Sequence, residues 1–307
     1  MPSSEPVILA LSDPVATALR DRRPVVALES SVLAQGLPVP ANREADERMR
    51  RAITSRGAVP AITAVVRGVP TAGLDGDDLE RFLRRDGVAK VSARDLPWAI
   101  VTRRDGATTV AASLALCVAA GLRVFATGGI GGVHRDAPFD ESADLVELSR
   151  SPVLTVCAGA KSILDLPATV ERLETLGVPV IGYRTDCFPG FFTEGSGVGV
   201  GATADSPAQL AEAFVAHRAL GRSAAMLVVQ PPPAGEALDE ALVRAAVDEA
   251  LAAARVAGVR GAAVTPFLLA AVERATGGRS LRTNLALLEA NAALAADIAV
   301  ALAGTPA

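Results

Sequence analysis

The feature that most constrains this chain is a series of short, valine-rich apolar runs separated by helix-length segments. The runs are VVALES (25–30), AITAVV (61–66), VAKVS (88–92), RVFATGG (123–129), VLTVCAG (153–159), PVIGYRT (179–185) and AMLVVQ (225–230). They are apolar on both faces, which predicts strands of a sheet covered on both sides. The segments between them carry helix signals. In 42–57, Asn42 is placed to cap, Ala45, Met49, Ala52 and Ile53 form one stripe, and Gly57 ends the pattern. Asp75 precedes a helix whose buried face is Leu79, Phe82 and Leu83. Ser206 precedes another, with Pro207 at its first position. The last third reads as mainly helical. Strand and helix in repeated succession predict an α/β sandwich, expected to form one domain over residues 1–307, with 1–24 as a lead-in.

Composition removes several classes of function. Half of the 307 residues are hydrophobic, enough for a large core. A formal net charge of -4, with 30 basic against 34 acidic residues, and 3% aromatics leave neither a phosphate-tracking stripe nor a base-stacking platform. Nucleic acid is therefore not an expected partner. Cys117, Cys157 and Cys187 are far apart and make no CxxC pair, so a disulfide framework or zinc knuckle is not expected and a reducing cytoplasm fits. Asp13 and Pro14 break the apolar patches near the N-terminus, which predicts neither a signal peptide nor a membrane span.

Open α/β sheets collect function at the carboxyl ends of their strands. Glu29, Lys90, Thr127, Lys161 and Asp186 lie there. A partly desolvated Lys161 would be a nucleophile toward a carbonyl carbon; the alternative is a cation that caps a carboxylate or holds a phosphate. Glu29 suits a general acid or base, or a helix cap. The GGIGG run at 128–132 has the wrong spacing for a dinucleotide fingerprint. Beyond it stand His134, Asp140, Ser142 and Asp144, with a ligand-facing role open for His134. The carboxylates could ligate a hard divalent cation, or with Ser142 simply cap the next helix. Lys90, Arg94 and the amides near Thr108 and Thr109 could bind phosphate, or the threonines could only cap. His217, in an alanine-rich charged helix, reads as a surface residue.

Taken in order, VALES, GAVPA, KVSARDLP, GATTVAAS, RVFATGGIGGVH, FDESADL, VCAGAKSILD, ETLGVPVIGY, VTPFLL and TGG resemble the pseudouridine-5'-phosphate glycosidase family, also called the indigoidine synthase A-like family. The resemblance spans about residues 25 to 300. It implies a three-layer αβα sandwich with a mainly parallel or mixed central sheet, in a homotrimer. It also implies making or breaking the carbon–carbon bond between ribose 5-phosphate and C5 of uracil. Lys161 would be the nucleophile, forming a Schiff base with the ring-opened sugar, and Glu29 the proton donor. Lys90, Val110, Ser142, Ala143 and Asp144 would contact substrate, Asp140 would hold manganese (Mn2+), and Thr127, His134 and Asn284 would lie nearby. A carbon–carbon bond has no leaving heteroatom to protonate, so the usual pair of carboxylates does not serve.

The chain departs from that pattern at Ser31, Gln35, Val39, Phe192 and Val198, and at Ala262 and Ala263 where a lysine is expected. Apolar replacements remove groups that read a pyrimidine and leave a wider wall. A larger aromatic acceptor suits such a wall, and the resemblance also implies a C-glycosynthase branch of the family, the alnumycin type, that joins ribose 5-phosphate to an aromatic polyketide; this is the alternative, against neutral drift around a uracil pocket. A sugar-phosphate sensor without turnover is the alternative of another class.

Overall fold

The computed structural model describes residues 9–135, 139–259 and 264–304. Its strands are β1 (Ala10–Leu11), β2 (Val25–Glu29), β3 (Val59–Val66), β4 (Val69–Ala72), β5 (Ala89–Val91), β6 (Gly106–Thr108), β7 (Val124–Ala126), β8 (Val133–His134), β9 (Leu154–Cys157), β10 (Leu164–Asp165), β11 (Val180–Tyr183), β12 (Ala202–Ala204) and β13 (Met226–Val229). The helices are α1 (Asp13–Arg20), α2 (Ala41–Thr54), α3 (Gly76–Arg84), α4 (Leu96–Val101), α5 (Val110–Ala120), α6 (Ala143–Leu148), α7 (Leu166–Thr175), α8 (Pro207–Ala219), α9 (Glu240–Val256), α10 (Val264–Ala275) and α11 (Arg279–Ala303), with a π-helical turn over Val32–Gly36.

The main sheet runs in the order β1-β4-β3-β2-β7-β9-β13-β11-β12, with β6 joining β3 to β5. From β3 through β2, β7, β9, β13 and β11 to β12 every neighbour is parallel, while β4 and β6 run antiparallel to β3. Every residue of β2, β7, β9 and β13 is buried, as unbroken apolar runs require of strands covered on both faces. Helices α2 and α8 each pack on α11, which lies on β2, β7 and β9, and α5 packs on α6 and on β2, β3 and β4. The result is the three-layer αβα sandwich with a mixed central sheet. Helix α11 is long and apolar enough to cross a membrane, but Leu287, Leu288, Leu294 and Ile298 are buried in the common core. Its hydropathy is that of a core helix. Truncating Leu288 to alanine there would cost about 2–5 kcal/mol.

Several local expectations change. Asn42 does not cap: α2 starts at Ala41 after Pro40, and Asn42 sits in its first turn, 1% exposed. Its Nδ2 donates to the carbonyls of Leu33 (3.0 Å) and Leu83 (2.9 Å), fastening the π-helical turn and the end of α3 to α2. Cap preference is local and cannot register such distant partners. Asp75 precedes α3 without a side-chain cap bond, whereas Ser206 accepts from the Gln209 amide as expected. Strands of two to four residues, such as β1, β4 and β12, were too short to show a period. Within the described part of the 1–24 segment, β1 pairs in parallel with β4, and α1 packs on β2 and β3.

Candidate active site

Because β2, β7 and β9 are parallel neighbours, their carboxyl ends open on one edge of the sheet. Glu29 is the last residue of β2, Thr127 follows β7, and Lys161 leaves β9 through a short turn. That turn needs Gly159, which has φ +77° and would place a Cβ 2.2 Å from the Pro189 carbonyl oxygen. The Lys161 amide then donates to the Ile130 carbonyl at 3.2 Å, leaving the side chain half-buried.

Glu29 is 7% exposed. Its Oε2 accepts from Ser31 Oγ at 2.5 Å, and its Oε1 accepts from Thr127 Oγ1. It therefore does not cap a helix. Ser31, one of the departures, still supplies a hydroxyl donor. Beneath the carboxylate lies a buried hydroxyl cluster. Thr108 Oγ1 lies 2.9 Å from Thr63 Oγ1 and accepts from Ser113 Oγ at 3.0 Å, and the Thr108 amide donates to Ser30 Oγ at 2.9 Å. Thr108 is thus part of the floor, while Thr109 caps α5 by accepting from the Ala112 amide.

Asp144 closes the other side. Its Oδ1 accepts from the Ala111 amide at 2.9 Å and its Oδ2 from the Gly131 amide at 2.8 Å. Ser142 caps α6 by accepting from the Asp144 amide, and the exposed Ala143 is the first residue of that helix. Val110, buried, opens α5, where first-turn amides lack helical partners. His134, half-buried on β8, faces Leu164 of β10 and donates its amide to the Asp140 carbonyl.

Lys90, on β5, keeps part of its side chain in solvent, yet its ammonium is crowded by protein. Loss of hydration pulls its pKa below the ordinary 10.5, and the charge of Lys161 adds to this; Glu29 and Asp144 oppose it. Three other expected site residues, Lys161, Glu29 and Asp144, therefore lie within electrostatic reach of Lys90. Lys90 and Lys161 are also the only lysines in the chain; all the other Lys/Arg positions among its 30 are arginines. Arginine does not give up its proton in proteins. That count was open to inspection in the sequence and is a sharper pointer to amine chemistry than either position alone.

Asp140 is exposed, and among the described residues its carboxylate has no hydrogen-bond or ion-pair partner. No group of three His, Cys, Asp or Glu side chains converges among the described residues. One free carboxylate suits a hard divalent ion that retains most of its water, and does not suit a protein-caged one. Arg94 is 87% exposed and pairs with Asp95, and Asp186 is exposed beyond β11. His217 is half-buried and bonded to the Ala224 carbonyl, so it is less exposed than expected. Gln35, Phe192 and Asn284 line one cavity, Val198 is half-buried, and Val39 is 61% exposed. Ala262 and Ala263 lie outside the described residues.

Local sequence patterns gave no sign of Asn291 and Gln230. Asn291, on α11 and 1% exposed, donates through Nδ2 to the Thr127 carbonyl at 2.8 Å and accepts from Gln230 Nε2 at 2.9 Å. Helix α11 thus holds the turn that carries Thr127.

An amine and a hydrogen-bonded carboxylate at the carboxyl edge of a parallel sheet define the α/β enzymes that work at a strand-end cleft. The chain belongs to the family described as Indigoidine synthase A like protein, whose model matches residues 14–301. A pseudouridine-5'-phosphate glycosidase of Gemmatimonas aurantiaca is 67% identical over 290 residues, covering 94% of this chain and 95% of the relative. A pseudouridine-5'-phosphate glycosidase of Herpetosiphon aurantiacus is 52% identical, covering 96% and 98%. Among solved structures, the prealnumycin C-glycosynthase AlnA in complex with ribulose 5-phosphate superposes with a TM-score of 0.90 at 40% identity, covering 96% of this chain and 97% of that one. An indigoidine synthase A-like protein of Thermotoga maritima gives 0.88 at 33% identity, covering 97% of each.

Proposed function

We propose that this chain is a C-glycosidase that breaks, and in reverse makes, the bond between C1' of ribose 5-phosphate and C5 of uracil. The observation that carries the reading is that Lys161, Glu29 and Asp144 all act on Lys90 across the strand-end edge, Lys90 and Lys161 being the only lysines of the chain. The 67% identity to a protein of that name supports it.

In the proposed course Lys161 Nζ bonds to C1' as the C1'–O4' bond of pseudouridine 5'-phosphate breaks; the electron pair of that bond stays on O4', and the proton that the nitrogen gives up passes to O4'. Glu29 donates a proton to C5. The C1'–C5 electron pair stays with the uracil ring, and the nitrogen lone pair closes the C1'=N iminium. Water then releases the aldehyde form of ribose 5-phosphate and returns the amine. Ser31 and Thr127 orient the Glu29 carboxyl group. Lys90 and the α5 N-terminus at Val110 attract the phosphate, with Ser142, Ala143 and Asp144 shaping that wall and His134 beside it. Asp140 would hold a manganese ion among its waters, and that ion would supply positive charge near the phosphate. We assign a homotrimer and a cytoplasmic setting on the family's pattern, and light scattering tests the first.

The experiment is borohydride reduction with ribose 5-phosphate, followed by peptide mapping, alongside chromatographic detection of uracil from pseudouridine 5'-phosphate. A sugar adduct on Lys161 and released uracil are expected. An unmodified Lys161 peptide in a sample that turns over would overturn the mechanism. The likeness to AlnA favours the second reading, an aromatic polyketide as acceptor. Product formed only with a polycyclic acceptor would select it. Sugar-phosphate binding without any reaction would select the sensor.

A further inference from the structure

Arg135 follows β8 directly, as Ser162 follows Lys161. Its half-buried guanidinium is committed to the backbone of the lysine's own turn: Nε donates to the Leu164 carbonyl at 3.0 Å and Nη2 to the Ser162 carbonyl at 3.2 Å. The Leu164 amide donates to the Lys161 carbonyl at 3.0 Å, so residues 161–164 form one turn. It begins where the Lys161 amide meets the Ile130 carbonyl and ends where Leu164 pairs with His134. The remaining guanidinium contact, Nη1 to Asp248 Oδ1 of α9 at 3.4 Å, is with a side chain that is 62% exposed.

Little else braces the turn from that side. Ser162 and Leu164 border a cavity of about 300 Å3 together with Arg135, Thr193 and Val243, and Lys161 does not line it. Atoms facing such a gap lose the packing contacts that would otherwise hold them. The Ser162 hydroxyl, buried and without a hydrogen-bond partner among the described residues, adds no hold either. Ser162 and Leu164 are 5% and 2% exposed, so their carbonyls depend on the guanidinium rather than on water. Donors at a fixed spacing on one rigid plane suit a pair of carbonyls in one turn, which a single ammonium does not match.

Resting on the C-glycosidase reading above, we propose that Arg135 is the positioning residue of the nucleophile. By fixing the Ser162 and Leu164 carbonyls it sets the orientation of the turn, and with it the direction in which the Lys161 side chain leaves the backbone. The amine stands at the end of a four-carbon stem, so a small rotation of the turn moves Nζ by about 1 Å, and a misplacement of that size costs about 10²-fold in rate. In this role Arg135 touches no reacting atom. It acts on the attack step through Lys161 and leaves the grip on the phosphate, assigned to Lys90 and the α5 N-terminus, unchanged.

The test compares wild type with Arg135→Lys, which keeps the charge and the stem but not the fork, with Arg135→Met, and with Asp248→Asn, which removes only an exposed ion pair. Two rates are read: release of uracil from pseudouridine 5'-phosphate, and trapping of ribose 5-phosphate on Lys161 by borohydride. Arg135→Met is expected to lower kcat and the trapping rate by at least about tenfold while KM changes by less than about threefold. Arg135→Lys should lower both rates by at least about fivefold, and Asp248→Asn should stay within about twofold of wild type. Thermal unfolding establishes that each variant is folded, and Arg135→Lys carries the test if Arg135→Met is not. A folded Arg135→Lys with the wild-type kcat and trapping rate overturns the proposal. So does a rise in KM at unchanged kcat, which would make Arg135 a binding group. Trapping that slows in the Arg135 variants, with no uracil released by wild type, would instead overturn the glycosidase reading and leave the positioning role standing. Uracil release by wild type and variants alike would do the reverse.

Discussion

The side-chain amide of Asn291 donates across 2.8 Å to the backbone carbonyl of Thr127, whose hydroxyl in turn donates to Glu29. A residue near the C-terminus therefore sets the position of a carboxylate near the N-terminus. Asn291→Leu would leave the Thr127 carbonyl and Gln230 Nε2 without partners. It is expected to cost about 1–3 kcal/mol of stability, read by urea unfolding. If the turn positions Glu29, kcat for uracil release also falls by at least about tenfold while KM moves less. A fall in stability alone would confine Asn291 to the core.

Gly131 is predicted to tolerate no side chain. A Cβ there would lie 2.2 Å from Ser142 Oγ and 2.9 Å from Asp144 Oδ2. Gly131→Ala must therefore push away the carboxylate that joins the Ala111 and Gly131 amides. The expected loss is about 1–3 kcal/mol of stability, together with weaker binding of ribose 5-phosphate, measured by thermal unfolding with and without the sugar.

Lys90 should make sugar-phosphate binding sensitive to pH below the range of an ordinary lysine. Its pKa lies below 10.5 because of lost hydration and then the charge of Lys161, so the free protein releases this proton early as pH rises. A bound phosphate favours the charged form, so binding should take up protons near the depressed pKa and weaken as pH climbs through it. Calorimetry in buffers of different ionisation enthalpy reads that uptake. Lys90→Arg, whose charge persists, should move the loss of affinity to higher pH.

The cysteines should separate by reactivity. Cys117 and Cys157 are fully buried, and burial pushes the Cys157 thiol up to about 12 and raises that of Cys117 as well. Cys187 is only partly buried, with its Sγ accepting from the Ser196 amide. A thiol reagent should label about one cysteine quickly in the folded protein and all three after denaturation, and mass mapping should place the fast label on Cys187. Rapid labelling of Cys157 would show that the core beside Lys161 opens.

The layers were legible because burial on both faces leaves a periodic trace. The central strands β2, β7, β9 and β13 lie within runs that are apolar without interruption, and the stripe Ala45, Met49, Ala52 and Ile53 is the buried face of α2. Short edge and hairpin strands leave no such trace. Asn42 was misread because its type favours a cap while its partners, Leu33 and Leu83, are distant in sequence. The strand-end rule singled out Glu29, Lys90, Thr127 and Lys161 one by one. It did not supply Asn291, whose role depends on which helix lies across the sheet.

By itself, then, the sequence determined the kind of layers and which side chains were available for chemistry, above all two lysines among many arginines. Those properties depend on local pattern and on residue type. Only the tertiary structure decided that Lys161, Glu29 and Asp144 act on Lys90, and that Asn291 holds the Thr127 turn. Electrostatic and hydrogen-bonding interactions act over a few ångströms of space, and the order of parallel strands, not distance along the chain, brings those groups within reach.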